Sequence, residues 1–173
     1  MLTEIQDSEL IAEFLRSRSE VSFLQIYRRH TPRLYLFALR LCSGKHPEAE
    51  DIVQESWIRA VQKLSTFRRE AQLRHWLMGI VCNCYRELQR SKKPEFSLDQ
   101  AANETTLAAE PSDLEQLIGR LPNGYREVLI LHDIYGYTHE ETSAFLDIQP
   151  GTSKSQLFEA RKKLRGWLTK EEK

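Results

Sequence analysis

The residues best suited to chemistry are of the kind that hold nucleic acid. Gly151-Thr152-Ser153-Lys154-Ser155-Gln156 opens a basic segment that continues through Leu157-Phe158-Glu159-Ala160-Arg161-Lys162-Lys163-Leu164-Arg165. Small hydroxyl and amide side chains at a helix start can meet base edges, and the free N–H groups there can grip a phosphate. Cations further along neutralise the backbone without reading sequence. Thr152, Lys154, Ser155, Gln156, Phe158, Arg161 and Lys162 are therefore the candidate contacts of this segment. At helical spacing Lys154, Ser155 and Phe158 fall opposite the apolar Leu157, Ala160 and Leu164. A second stretch, from Ser65 to Trp76, gathers Arg68, Arg69, Arg74 and His75 with Phe67 and Trp76. Such a mixture suits single-stranded nucleic acid, whose bases stack on rings while arginines follow its backbone. Phe67 and Trp76 read more readily as core residues than as stacking platforms, which leaves the cations as the better candidates.

Catalytic constellations are missing. His139-Glu140-Glu141 is not the zinc motif HExxH, because position 143 is serine. No glycine-rich phosphate loop occurs among the 7 glycines. His132 and Asp133 diverge on a helix, and His30, His46 and His75 read as isolated surface or interface residues. Cys42, Cys82 and Cys84 form no CxxC pair, so they read as buried structural thiols of a reducing compartment. The expectation is a non-enzymatic cytoplasmic protein with no metal and no cofactor. The acidic start, MLTEIQDSELIAEF, does not resemble a signal peptide. No apolar run approaches the about 20 residues that span a bilayer.

The elements that must position these residues are helical throughout. Ala49, Ile52, Val53, Trp57, Ala60, Val61 and Leu64 recur at i, i+3, i+4 spacing. Pro47 and the acids Glu48, Glu50 and Asp51 suit that helix's first turn. Trp76, Leu77, Ile80, Val81, Cys84 and Leu88 form a second stripe. An earlier helix, or two, covers Leu10–Leu15 and Phe23–Leu41, with Pro32 expected to bend or break it. From Ser91 to Pro111 the periodicity fades into a polar, acidic stretch closed by prolines, read as a linker. Beyond it, Leu114–Arg120 leads into a helix that Gly136 ends. Thr138 with Glu141 makes a capping box, and Asp147-Ile148-Gln149 turns into a last helix that starts at Pro150. A short helix, a tight turn and a long basic helix describe a helix-turn-helix. The fold class is all-α, with two small helical domains, 1–93 and 113–173, joined by a flexible acidic linker at 94–112.

The formal net charge of +0 conceals a segregation. From Arg16 to Lys93 sixteen Lys/Arg face seven Asp/Glu, Pro94 to Glu115 holds six acids and no base, and Lys154 to Lys170 holds six bases and one acid. Two basic blocks around an acidic tether suit two anion-binding modules.

EAEDIVQESWIRAVQKL, then Phe67, then WLMGIVCNCYRELQR resembles region two of the extracytoplasmic-function sigma factors of the sigma-70 family. LPNGYREVLILHDIYGYTHEETSAFLDIQPGTSKSQLFEARKKLR resembles their region four. Together the motifs run from about Phe23 to Leu168 in the family's order. The resemblance implies a factor that binds core RNA polymerase through the clamp coiled coil and flap of its large subunits. Asp51, Gln54 and Glu55 would lie on the clamp-docking helix. The loop from Ser65 to Leu73, with Arg74, His75, Asn83 and Arg86, would open and read the minus-ten promoter element. Lys154, Ser155, Gln156, Phe158 and Arg161 would read the minus-thirty-five element as duplex. The linker would thread toward the polymerase cleft. An anti-sigma factor, often membrane-tethered, would hold the protein inactive, and no small-molecule substrate is implied.

The sequence departs from the family at three places. Ser153 stands where a valine usually packs inward, and its hydroxyl, if unpaired, would cost about 1–3 kcal/mol to bury. Gln156 and Glu159 replace residues that are often basic, so minus-thirty-five binding could be weakened, redirected or given over to a protein partner. Two other readings of the residues are a stand-alone helix-turn-helix regulator and a protein-interaction adaptor that has lost DNA binding.

Overall fold

The computed structural model describes residues 2–68, 72–92 and 113–171, and every regular element among them is helical. The first module consists of α1 (Leu2–Ser17), α2 (Glu20–Leu41), α3 (His46–Lys63), a 3-10 turn at Leu64–Thr66, and α4 (Leu73–Ser91). Arg18 at φ 53 separates α1 from α2, and the Ser19 hydroxyl accepts from the Ser22 N–H to start α2. Pro47 sits in the first turn of α3, where its missing N–H removes no helical bond.

The stripes do what their spacing implies. Ala49, Ile52, Val53, Trp57 and Ala60 from α3 meet Leu77, Ile80, Val81 and Tyr85 from α4 in one core, over Ile26, Leu34, Phe37 and Leu41 of α2. Val61 is only partly buried at its edge. Pro32 neither bends nor breaks α2, which runs unbroken through it. Both Pro32 and Arg28 are exposed, so water can take the carbonyl left without a donor one turn back. His30 is not a surface residue but buried, with Nε2 2.9 Å from Asp7 Oδ2, which ties α1 to α2. His46 is half-buried with Nδ1 2.6 Å from the Tyr35 hydroxyl. The three cysteines are buried and unpaired; burial pushes the Cys42 thiol up to about 12, which removes its reactive thiolate.

The second module holds α5 (Asp113–Gly119), α6 (Asn123–Leu129) running on into a π turn at Ile130–Ile134, α7 (His139–Leu146) and α8 (Pro150–Glu171). Gly136 at φ 75 and Asp147 at φ 55 supply the two left-handed turns that re-aim the chain. The expected linker at 94–112 lies outside the described residues.

The two modules share a hydrophobic core. Phe37 meets Tyr135 edge-on at 4.8 Å, the Tyr137 hydroxyl donates to Met78 Sδ at 3.2 Å, and Phe145 lies so close to Gly79 that a Cβ there would stand 3.1 Å from its ring. At the centre is Arg126, buried, donating to the carbonyls of Leu41, Gly119 and Leu121 and to Asn123 Oδ1, with Tyr85 Oη at 3.4 Å.

Candidate nucleic-acid interface

Because the apolar stripe of α3 faces inward, its polar row faces out. Asp51 and Gln54 are exposed. Glu55 is half-buried and accepts from Arg59 at 2.6 Å, and Arg59 also reaches Glu87 of α4. This bridge locks α3 to α4. Ile58 stands on the same row with 49% of its surface exposed. It lies off the i, i+3, i+4 stripe, and that mismatch is the signal by which the sequence marks it as an outward-facing apolar residue.

The end of α3 and the start of α4 bring the first cationic group together. Arg68, Arg74 and Asn83 are exposed, and Arg69 lies outside the described residues. Phe67 and Trp76 pack on each other at 5.3 Å and against the core, the role expected of them. His75 and Arg86 face the second module. The His75 ring rests on Tyr137 at 5.0 Å. Arg86 donates to the Phe145 carbonyl and to Asp147 Oδ2, both at 3.2 Å.

In the second module the helix-turn-helix is α7, the turn Asp147-Ile148-Gln149, and α8. The capping box at its entrance is complete: the Thr138 hydroxyl accepts from the Glu141 N–H at 3.1 Å, and Glu141 Oε2 accepts from the Thr138 N–H at 2.8 Å. The Thr138 N–H, and its hydroxyl at 3.0 Å, both donate to Glu141 Oε2 and hold that carboxyl below the usual range. Thr138→Ala is expected to lower the unfolding free energy by about 1 kcal/mol, read from the urea midpoint, because one orphan N–H of α7 loses its acceptor.

Along α8, Leu157, Ala160 and Leu164 are buried, whereas Thr152, Lys154, Ser155, Arg161 and Lys162 are exposed. Phe158 exposes 61% of its surface on the outward side. Arg161 is spoken for, donating to both oxygens of Asp133 at 3.0 and 2.6 Å. Gln156 is half-buried, its amide against Gly124 and its Oε1 buried with no hydrogen-bond partner among the described residues. Ser153 is fully buried, and its hydroxyl is paired with His139 Nδ1 at 2.9 Å. The penalty expected for an unpaired hydroxyl is therefore relieved.

Among the described residues no group of three or more potential ligands could hold a metal ion, and no helix is long and apolar enough to cross a membrane.

Comparison with known proteins follows the same division. A family model described as "Sigma-70 region 2" matches residues 26–94, and one described as "Sigma-70, region 4" matches residues 112–164. The chain is 32% identical to the ECF RNA polymerase sigma factor EcfG of Rhodopseudomonas palustris, over 79% of this chain and 80% of the relative. It is 31% identical to the ECF RNA polymerase sigma factor SigM of Mycobacterium tuberculosis, over 93% and 84%. Among solved structures, it resembles the sigma factor RpoE in complex with the anti-sigma factor NepR from Bartonella quintana. That match has TM-score 0.62 at 28% identity and covers 85% of this chain and 96% of the other. It also resembles CnrH in complex with the cytosolic domain of CnrY, with TM-score 0.64 at 25% identity over 95% and 97%.

Proposed function

The chain belongs to the ECF RNA polymerase sigma factors of the sigma-70 family, and on that premise we propose that it carries core RNA polymerase to promoter DNA and starts transcription there. The observation that supports this reading is the order of two surfaces in one chain. The first module turns Asp51 and Gln54 outward on α3, and the second turns Lys154, Ser155 and Phe158 outward on α8.

Asp51, Gln54 and Glu55 dock the polymerase clamp, and Ile58 adds an apolar contact on the same row. Arg68, Arg69, Arg74, His75, Asn83 and Arg86 open and hold the minus-ten element. Thr152, Lys154, Ser155 and Phe158 meet the minus-thirty-five duplex, with Lys162 on its backbone. Gln156 braces the inner side of α8, and Arg161 reaches DNA only by leaving Asp133. Arg86 similarly must exchange the Phe145 carbonyl and Asp147 for DNA, so the modules part at that seam when the promoter opens. RpoE was solved in complex with the anti-sigma factor NepR, and CnrH in complex with the cytosolic domain of CnrY. By likeness, a protein of that class holds this chain inactive in the cytoplasm or at the membrane face.

The test is capture of core RNA polymerase. The double variant Asp51→Ala, Gln54→Ala is expected to bind core about tenfold or more weakly, the equivalent of two lost hydrogen bonds. Its unfolding curve stays unchanged because both side chains are exposed. A wild-type chain that ignores core polymerase, or a double variant that binds as well as wild type, would overturn the reading. Tight duplex binding by the free protein would point instead to a stand-alone regulator.

A further inference from the structure

The reading helix is held from behind at two levels by one short segment. The π turn at Ile130–Ile134 carries Asp133, whose two oxygens accept from Arg161 Nε and Nη2. It also carries His132, whose ring lies parallel to that of His139 at 4.2 Å and 11°. His139, the first residue of α7, passes the contact on to Ser153, the buried residue one turn into α8. His132 itself is fixed, because its Nδ1 lies 2.7 Å from the Tyr137 carbonyl, which can only accept. Ser153 and Arg161 are eight residues apart, about 12 Å along the helix. Between these supports lie the outward-facing Lys154, Ser155 and Phe158.

The chemistry of the upper support differs from that of the lower one. An Asp–Arg pair keeps its charges across the neutral range. Two stacked imidazoles do not: neutral rings attract, but a proton on each puts like charges about 4 Å apart. Of the charged groups facing His139, Lys154 of α8 adds to that opposition, Arg161 adds less because it is paired with Asp133, and Glu140 opposes it. A proton on His139 makes Nδ1 a donor toward the Ser153 oxygen, so displacement of the ring by a charged neighbour in the stack is passed on to Ser153.

We propose that His132 and His139 are positioning residues that set the reading helix against duplex DNA through Ser153, and that protonation of the stack releases this support. The inference rests on the assignment of α8 to the minus-thirty-five element. Burial, with the charge of His132 next, holds His139 below its ordinary value of 6.5 in the folded chain. For a base lowered on folding, the support is complete above 6.5 and is lost as pH falls below it.

The experiment uses holoenzyme reconstituted with the full chain, binding promoter duplexes with the minus-thirty-five element intact or scrambled. The ratio of the two affinities isolates α8 from the rest of the interface, and from the general gain of cationic charge in acid. Between about pH 7.5 and about pH 5.5 the wild-type ratio is expected to fall by up to about tenfold, the effect of displacing one titrating group by one unit. Ser153→Val replaces the polar support by an apolar one, and His132→Phe keeps a ring in the stack without a second charge. Both are expected to hold their ratio constant over the range. In a histidine NMR titration of the full chain, the His139 midpoint is expected to rise in His132→Phe. A wild-type ratio that is flat with pH, variants that fall as steeply as wild type, or an unmoved His139 midpoint would each overturn the proposal. A wild-type ratio of one at neutral pH would overturn the assignment of α8 itself, and this inference with it.

Discussion

Arg126→Met is expected to lower the unfolding free energy of the chain by about 3–5 kcal/mol. Arg126 is buried, and its guanidinium serves the carbonyls of Leu41, Gly119 and Leu121, which lie at or just beyond the C-terminal ends of α2 and α5. Helix C-termini present carbonyls without intrahelical donors, and a cation there meets both the hydrogen-bonding need and the partial negative charge. Methionine matches the length of the side chain but leaves these buried acceptors unmet, along with Asn123 Oδ1. Arg126→Lys is expected to recover only a minor part, since an ammonium cannot reproduce the planar fork. Urea denaturation followed by circular dichroism measures both. A loss of less than about 1 kcal/mol for methionine would show that water reaches the carbonyls and that Arg126 does not hold the modules together.

Trp57→Ala should have an effect of the same order, about 3–5 kcal/mol, through a different mechanism. The indole is buried on the inner face of α3, edge-on to Phe23 at 5.8 Å and tilted against Tyr27 at 5.1 Å. Its Nε1 donates to Thr31 Oγ1 at 3.0 Å, and that hydroxyl donates in turn to the Tyr27 carbonyl. Truncation opens a cavity between α2 and α3 and leaves Thr31 without its donor. Thr31→Val, which removes only the polar half of the contact, is expected to cost about 1 kcal/mol. Trp57→Ala should lose polymerase binding in step with lost folding, whereas Asp51→Ala with Gln54→Ala should lose binding while the unfolding curve stays fixed. A Trp57→Ala chain as stable as wild type would mean that α3 is held mainly from the α4 side.

Much of the architecture was legible because the signals are local. The stripe from Ala49 to Leu64 names its own inner face, Pro47 marks a helix start, and Thr138 with Glu141 marks another. Gly136 ends the helix before it, and all of these stand where the periodicity puts them. Pro32 was misleading because a proline's effect depends on whether the opened carbonyl is buried, and here it lies on an exposed side. His30 was misleading because its partner, Asp7, is on another helix.

The sequence by itself determined the helices, the order of the two modules, the segregation of charge and, through the motifs, the family. It also determined that Asp51 and Gln54 of α3 and Lys154, Ser155 and Phe158 of α8 point outward, since a helix of known phase has only one inner face. It set Gln156 among the DNA contacts, however, whereas its amide packs inward against Gly124. The tertiary structure decided which outward polar groups are already engaged. Arg86 is held by Phe145 and Asp147, Arg161 by Asp133 and Glu55 by Arg59. It also decided that Ser153, an expected weak point of the reading helix, is paired with His139. Hydrogen bonds between helices depend on how those helices cross, and crossing is fixed by the packing of all the apolar faces together. No short stretch of sequence contains that information.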